Sequence, residues 1–130
     1  MKKVLFVCIE NSARSQMAEA FFNRMAKNAK AGSAGTRPAK TVNPMAVLVM
    51  KEVGIDISGA SPKLLTSGML DGVDRVITMG CSVENICPAS ISNEDWGIED
   101  PAGKPIEKVR EIRDIIRKKV AQLVEELEGL

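Results

Sequence analysis

The chain of 130 residues has no histidine and no tyrosine, and its only aromatic residues are three phenylalanines and one tryptophan. The absence of histidine excludes the Ser-His-Asp and Cys-His arrangements that activate the nucleophile in many hydrolytic enzymes. The shortage of aromatic side chains disfavours a pocket that binds an aromatic ligand by stacking. Any nucleophile in this sequence must therefore be activated by other groups.

Net charge and long apolar runs are also lacking. The formal net charge is +1, which gives no bulk attraction to nucleic acid or acidic lipid. The longest apolar runs, such as residues 4–8 and 45–50, are far shorter than the roughly 20 residues of a membrane-spanning helix. The apolar stretch after Lys3 is too short for a signal peptide and ends in charge at Glu10. We therefore expect a cytoplasmic protein that binds neither nucleic acid nor membrane.

Cysteine is sparse, with Cys8, Cys81 and Cys87 as the complete set. An odd number of cysteines without an export signal argues against a framework of structural disulfides. Buried thiols, a metal site and redox chemistry remain as interpretations. A zinc site would need a carboxylate as its fourth ligand, and the paired spacings of structural zinc sites are missing, so we predict no metal and no cofactor.

What the chain does contain is an alternation of strand-like and helix-like segments. Apolar runs predict strands at residues 2–8, 31–36, 74–79 and 94–98. Apolar spacing and capping residues predict helices at residues 15–28, 44–53 and 105–127. Residues 58–72, rich in Ser, Gly and Pro, are interpreted as a loop with one helical turn. The pattern predicts a single α/β domain over residues 1–130, a doubly wound four-stranded parallel sheet flanked by helices.

Three segments that carry reactive side chains follow predicted strands. Cys8 ends the first strand, Cys81 comes just after the third, and Asp100 comes just after the fourth. Ligands of open parallel sheets bind at the edge formed by the carboxyl ends of the strands. We therefore expect these three segments to emerge at the same edge of the sheet.

The first segment has the pattern C-x5-R at a strand-to-helix junction. Such a loop can curl so that its N–H groups point inward as an anion-binding nest, which the N–H groups of the following helix extend. Arg14 would add a planar, two-pronged donor for a tetrahedral oxyanion. The same field, with a hydrogen bond from Ser15 or Ser12, would favour the thiolate of Cys8. The predicted oxyanion-binding loop comprises Cys8, Ile9, Glu10, Asn11, Ser12, Ala13, Arg14 and Ser15.

The other two segments offer a second thiol pair and an acid. Cys81 and Cys87 can close a small disulfide loop if their Cα atoms approach within about 7 Å, and two ordinary buried thiols are the alternative. With Cys8 at the same edge, a thiol relay is favoured. Asp100 precedes Pro101 and is held extended, where its carboxyl group could protonate a leaving oxygen. Glu99 is a rival for that role.

Together these residues resemble the low-molecular-weight protein tyrosine phosphatase superfamily, and most closely its thioredoxin-coupled arsenate reductase branch. The resemblance covers nearly the whole chain. It rests on the segments VCIENSARSQMAEAFF, SAGT at residues 33–36, NPMAVLVMKEVGIDIS, MGCSVENICP and WGIEDPAGKP. The cysteine pair of MGCSVENICP is the feature that separates reductase from phosphatase.

The resemblance implies that the protein reduces arsenate, for which phosphate or sulfate are mimics. Arsenate would lie in the loop, the Cys8 thiolate would attack arsenic, and Asp100 would protonate the departing hydroxide. Cys81 would then attack Cys8 and release arsenite. Cys87 would attack Cys81, and the Cys81–Cys87 disulfide would be reduced by thioredoxin or a similar reductant.

The sequence departs from the family pattern at some positions. Glu10 stands where glycine is common, and Ala13 stands where a second cysteine is frequent. Some reductases of the family bind potassium near the loop, but Lys63 stands where an acidic ligand is expected, so we predict no ion. The positions that do match that arrangement are Asn11, Glu19, Ser33 and Ser61.

Two alternative functions remain open. The first is a phosphatase with a phosphocysteine intermediate on Cys8 and Asp100 as general acid. The lack of tyrosine and the presence of Ala102, where phosphatases of the family tend to have tyrosine, lower this alternative. The second is a non-enzymatic module that senses an oxyanion or a metal, for which the sequence offers no DNA-reading element.

Overall fold

Strands and helices alternate along the chain in the computed structural model, which describes residues 1–80 and 92–129. The strands are β1 (Lys2–Cys8), β2 (Ala29–Gly35), β3 (Arg75–Thr78) and β4 (Ser92–Asp95). The helices are α1 (Arg14–Met25), α2 (Pro44–Glu52) and α3 (Ile106–Glu128), with a short 3₁₀ turn at Ser67–Leu70. In the described part of the chain the four strands form one parallel sheet in the order β2-β1-β3-β4, which confirms the predicted fold class.

The central strand β1 is buried on both faces from Val4 to Cys8, which explains its nearly continuous apolar sequence. Side chains alternate across it, so Phe6 packs into the core beneath the helices while Leu5 packs into a smaller cluster on the opposite face. Helix α1 packs against α3, and α3 also packs against α2. The smaller cluster is covered by the 3₁₀ turn through Leu70. Strand β1 is therefore packed on both of its faces.

Several predicted boundaries differ from the structure by a few residues. Helix α1 ends at Met25 rather than near residue 28, because Ala26 adopts an extended conformation. Strand β2 begins at Ala29, two residues early, because its whole length pairs with β1. The fourth strand ends at Asp95, before Trp96, and Gly97 follows with a φ of 61° that interrupts an extended chain.

The second helix begins as its sequence predicts. The side chain of Asn43 accepts a hydrogen bond of 2.8 Å from the Met45 N–H, and Pro44 occupies the first helical position.

Among the described residues, no helix combines the length and the apolar character needed to cross a membrane.

Candidate active site

The Cys8 side chain lies at the carboxyl end of β1 and is only 2% exposed. Its Sγ is 2.9 Å from Ser15 Oγ, in a hydrogen bond, and it accepts a second hydrogen bond of 3.1 Å from the Asn11 N–H. Of the two serines considered from the sequence, Ser15 is therefore the one that contacts the thiol. Both contacts place donor groups where a thiolate would need them.

Asn11 shapes the loop that connects β1 to α1. It is fully buried and is the only residue other than glycine with a positive φ, 51°, in the described ranges 1–80 and 92–129, a conformation that asparagine tolerates better than most residues. Its Nδ2 donates to Ser15 Oγ at 2.7 Å, and its Oδ1 accepts from the Lys63 N–H at 2.9 Å. Ser15 Oγ accepts from Asn11, and its own hydrogen is available for donation to Cys8 Sγ, as a thiolate would require.

The carbonyl groups of this loop are held by the segment that follows β2. The N–H groups of Thr36, Arg37, Ala39 and Asn43 donate to the carbonyl oxygens of Cys8, Ile9, Glu10 and Ser12 at 2.8–3.2 Å. With these carbonyl groups bound by the segment after β2, the Asn11 N–H faces the thiol. The arrangement is a nest suited to an anion.

Gly35, the last residue of β2, lies directly under this loop. A Cβ atom at Gly35 would be 2.6 Å from the Ile9 carbonyl oxygen and 2.9 Å from the Asn11 nitrogen. Both distances are below van der Waals contact with backbone atoms, so only glycine fits here. The sequence did not predict that Gly35 or the segment after β2, whose N–H groups bind the loop carbonyls, belongs to the site, although Gly35 lies within the SAGT motif.

Arg14 is the first residue of α1 and is largely buried. Its Nη1 donates to the carbonyl oxygens of Met79 and Ile98, the latter at 2.9 Å. Its Nη2 lies 3.9 Å from Asp100 Oδ2. One nitrogen of the guanidinium group is therefore anchored to backbone, and the other faces Asp100.

Asp100 is the carboxylate that faces Arg14, and Glu99 is not. The Asp100 side chain is 60% exposed, and its Oδ1 accepts a hydrogen bond of 3.0 Å from the Ala102 N–H. The Glu99 carboxylate instead pairs with Lys108 at 3.3 Å and with Lys104 at 3.7 Å. Of the two acids considered from the sequence, Asp100 has the position required of a proton donor to the loop.

A cavity of about 230 Å³ lies between the loop and Asp100. It is lined by Cys8, Ile9, Glu10, Ser12, Ala13, Arg14, Asp100 and Ala102, with no aromatic side chain among these described residues. Glu10 is exposed at this cavity, and its backbone oxygen is bound to the Ala39 N–H. A tetrahedral oxyanion could occupy the cavity next to Cys8 and Arg14.

Lys63 is not among the residues that line this cavity, and its Nζ is 3.8 Å from Glu19 Oε1. The same Glu19 oxygen accepts a hydrogen bond from Ser33 Oγ. Gln16, which was not considered from the sequence, is buried and donates to Asn11 Oδ1 at 3.1 Å and to the Ser61 carbonyl oxygen at 3.1 Å. A polar network below the loop therefore holds Asn11 in place.

Two of the predicted cysteines, Cys81 and Cys87, lie outside the described residues.

Gly80, which precedes Cys81 in the chain, has a φ of 89° and packs closely against the Ile98 backbone. Its N–H donates to Asp95 Oδ1 at 2.6 Å. Desolvation opposes the charge of Asp95, but hydrogen bonds from Thr78, Gly80 and Gly97, with the nearby charge of Arg14, hold the pKa of Asp95 below its ordinary value.

The family described as low molecular weight phosphotyrosine protein phosphatase matches residues 3–129 of the chain. Arsenate reductase 2 of Staphylococcus haemolyticus is 39% identical over 119 residues, which cover 89% of this chain and 91% of that protein. A protein of Synechocystis named glutaredoxin arsenate reductase is 39% identical over 128 residues, covering 95% and 97% of the two chains.

Solved structures show the same similarity. A structure described as an arsenate reductase in the phosphate binding state has a TM-score of 0.88 and 37% identity, covering 97% of this chain and 98% of the other. The thioredoxin-dependent arsenate reductase of Corynebacterium glutamicum has a TM-score of 0.83 and 33% identity, covering 98% of this chain and 62% of that one. An arginine phosphatase from Geobacillus stearothermophilus has a TM-score of 0.81 and 25% identity, covering 99% and 94%.

Proposed function

The chain belongs to the low molecular weight phosphotyrosine protein phosphatase family, and on that premise we propose that it reduces arsenate to arsenite with the thiols of Cys8, Cys81 and Cys87. The observation that carries the proposal is a buried Cys8 thiol that shares one cavity with Arg14 and Asp100. Relatives named arsenate reductase, whose similarity extends over most of both chains, support the same reaction. The sequence supplies the two further thiols that a reduction requires.

The first step is nucleophilic attack of the Cys8 thiolate on arsenic(V). A sulfur–arsenic bond forms and one arsenic–oxygen bond breaks, while Asp100 in its acid form gives its proton so that the oxygen leaves as water. The loop N–H groups and the outward nitrogen of Arg14 bind the remaining arsenate oxygens. Ser15 Oγ and the Asn11 N–H lie within hydrogen-bond distance of the attacking sulfur.

In the second step Cys81 attacks Cys8 Sγ and a disulfide forms between these two residues. The sulfur–arsenic bond breaks and its electron pair stays on arsenic, which becomes arsenic(III) and leaves as arsenite, with the Cys81 proton on an arsenite oxygen. Cys87 then attacks Cys81, which frees Cys8 and forms the Cys81–Cys87 disulfide. These two steps rest on the sequence positions of Cys81 and Cys87.

Thioredoxin is the proposed reductant of the Cys81–Cys87 disulfide. Its two thiols would supply the two electrons that the disulfide takes up and would themselves become a disulfide. The similarity to a thioredoxin-dependent enzyme supports this choice, whereas the Synechocystis relative is named for glutaredoxin. We place the reaction in the cytoplasm, because free thiols persist in that reducing compartment.

A phosphatase reaction is the second candidate, and the placement of Arg14 and Asp100 around Cys8 favours it as well. The same attack on phosphorus would give a phosphocysteine on Cys8, with Asp100 protonating the leaving alcohol or amine. However, the cavity offers Ala102 and no aromatic wall among its described lining residues to hold an aryl group. We therefore expect only slow hydrolysis of aryl phosphates.

The decisive experiment measures arsenite release with NADPH, thioredoxin reductase and thioredoxin for the wild type and for Cys8→Ser, Cys81→Ser and Cys87→Ser. A parallel arm supplies glutathione and glutaredoxin, and a third follows hydrolysis of p-nitrophenyl phosphate. The proposal requires multiple turnovers to vanish in all three variants, while slow phosphatase activity is lost in Cys8→Ser alone. Normal arsenite release by Cys81→Ser and Cys87→Ser would contradict the relay.

A further inference from the structure

Arg14 owes its direction to two carbonyl groups from different parts of the chain. Nη1 donates to the Met79 oxygen, just past the end of β3, and to the Ile98 oxygen, just past the end of β4. The guanidinium group is planar and rigid, so the spacing of these two oxygens decides where its outer nitrogen points. Whatever sets that spacing also orients the oxyanion donor.

Asp95 joins the two segments that carry these carbonyl groups. It is the last residue of β4 and lies opposite Thr78 in the sheet. Its Oδ1 accepts hydrogen bonds from Thr78 Oγ1 at 2.7 Å and from the Gly80 N–H at 2.6 Å. The Gly97 N–H also donates to this carboxylate. One side chain thus binds the neighbour of Met79 and the neighbour of Ile98.

We propose that Asp95 is a positioning residue of the oxyanion site, which holds the Met79 and Ile98 carbonyl groups at the separation that directs Arg14 toward a bound oxyanion. This inference deepens the function proposed above and rests on its oxyanion site. It does not depend on the redox steps that follow oxyanion binding.

The packing of Gly80 explains why a small displacement of the backbone turn at this residue would also displace the Arg14 side chain. A Cβ atom at Gly80 would be 3.0 Å from the Ile98 oxygen and 3.5 Å from Arg14 Nη1, so the turn lies directly against the guanidinium group. The Gly80 N–H is bound by Asp95 on the other side. Releasing that N–H would let the turn move, and the Met79 carbonyl group would move with it.

The direction in which anion affinity changes when Asp95 is removed distinguishes a positioning role from a simple effect of its charge. Asp95 carries a negative charge near Arg14, so its removal would strengthen the binding of an anion if charge were its only influence. Loss of positioning would weaken the binding instead. Asp95→Asn keeps an acceptor oxygen without the charge, whereas Asp95→Ala removes both.

The test measures how inorganic phosphate protects Cys8 from iodoacetamide, with the Cys8 peptide quantified by mass spectrometry. For Asp95→Ala we expect phosphate binding to weaken about tenfold, the size of one lost hydrogen bond to a charged group. Alkylation of Cys8 without phosphate should stay close to wild type, because Ser15 and Asn11 hold the thiol from the other side. Asp95→Asn should recover most of the affinity.

Glu94→Ala is the matched control. Glu94 is an exposed carboxylate on the same strand, paired with Arg75 at 3.3 Å, and its loss should leave phosphate protection unchanged. Phosphate binding by Asp95→Ala as tight as in the wild type, or tighter, would overturn the proposal. A parallel fall of phosphate affinity, unprotected alkylation rate and Tm would also overturn it, since it would reveal a general structural role. Neither result depends on arsenate turnover, which tests the proposed function separately.

Discussion

The two sides of the candidate site differ in where their supports come from. On the nucleophile side, defined by Cys8, Asn11 and Ser15, the hydrogen bonds to the thiol from residues 1–80 and 92–129 come from positions at most seven away in sequence. On the acid side, defined by Arg14 and Asp100, the anchors of Arg14 are the carbonyl groups of Met79 and Ile98, which are 65 and 84 positions away.

The thiol and the acid also differ in exposure. The nucleophile side is buried, whereas the Asp100 side chain is 60% exposed. A short buried loop can hold a thiol in a fixed geometry, while the exposed acid can protonate a leaving oxygen and exchange its proton with water. The comparison implies that thiol reactivity and oxyanion binding can be altered separately by changes on one side or the other.

The largest effect should come from Gly35→Ala, which changes the support shared by both sides. The new Cβ would force apart Gly35 and the backbone of Ile9 and Asn11, and a displaced loop loses both its thiol geometry and its anion donors. We expect kcat/KM for arsenate to fall about a thousandfold and Tm to drop. Steady-state kinetics and thermal unfolding would measure the two effects.

The matched control for this change is Gly32→Ala on the same strand. A Cβ atom there would be 3.8 Å from the Leu5 side chain, which is an ordinary contact. This variant should keep both its activity and its Tm. Full activity in Gly35→Ala would show that the loop does not depend on close packing against β2.

A smaller effect is expected from Asp100→Asn, which alters the acid side alone. The amide cannot supply a proton to the leaving oxygen, so the first step should slow about a hundredfold. Single-turnover arsenite formation would measure this rate, and alkylation of Cys8 should remain near the wild-type rate. Glu99→Gln is the control, because Glu99 pairs with lysines instead of facing Arg14; an equal loss in both variants would contradict the assignment of the acid.

The smallest effect should come from Ser15→Ala, which alters the nucleophile side alone. Loss of the hydrogen bond to Cys8 Sγ should slow alkylation of Cys8 at neutral pH about tenfold. Phosphate protection measured on the same variant should be retained. Ser12→Ala should show the reverse pattern, since Ser12 lines the cavity and its side chain has no hydrogen bond to the sulfur among the described contacts. Similar alkylation rates in both variants would contradict the assignment of Ser15.

Much of the fold was predictable because its signals are periodic. The run of Lys2–Cys8 matched strand β1 along its whole length, and Asn43-Pro44 marked the start of α2. The apolar stripe of residues 105–127 corresponds to α3, which runs over Ile106–Glu128. The predicted boundaries were less accurate where a helix or strand ends because of the local backbone conformation, as α1 does at Ala26 and β4 does before Gly97.

The site was predictable only in part, and its missing components have a common physical nature. The segment after β2 binds the loop through backbone N–H groups, which every residue except proline has, so no residue type reveals it. Asp95 binds a backbone N–H group as well as Thr78, and an aspartate within the predicted strand of residues 94–98 resembles any exposed charge. The choices between Ser15 and Ser12 and between Asp100 and Glu99 needed side-chain directions.

The identity and spacing of nearby residues were thus enough to predict a cysteine nucleophile, an arginine and an anion-binding loop at a strand-to-helix junction. The periodicity of strands and helices and the preferences of turn residues involve positions only a few residues apart in sequence. The loop from Cys8 to Arg14 is short enough for these local signals to predict it. Folding of the distant segments settled the direction of Arg14, the choice of Asp100 as its partner and the fit of Gly35 under the loop. Those contacts join groups far apart in sequence, and all but the Arg14–Asp100 pair involve main-chain atoms. Main-chain atoms are the same in nearly every residue, so no residue type reveals these contacts before the fold brings the groups together.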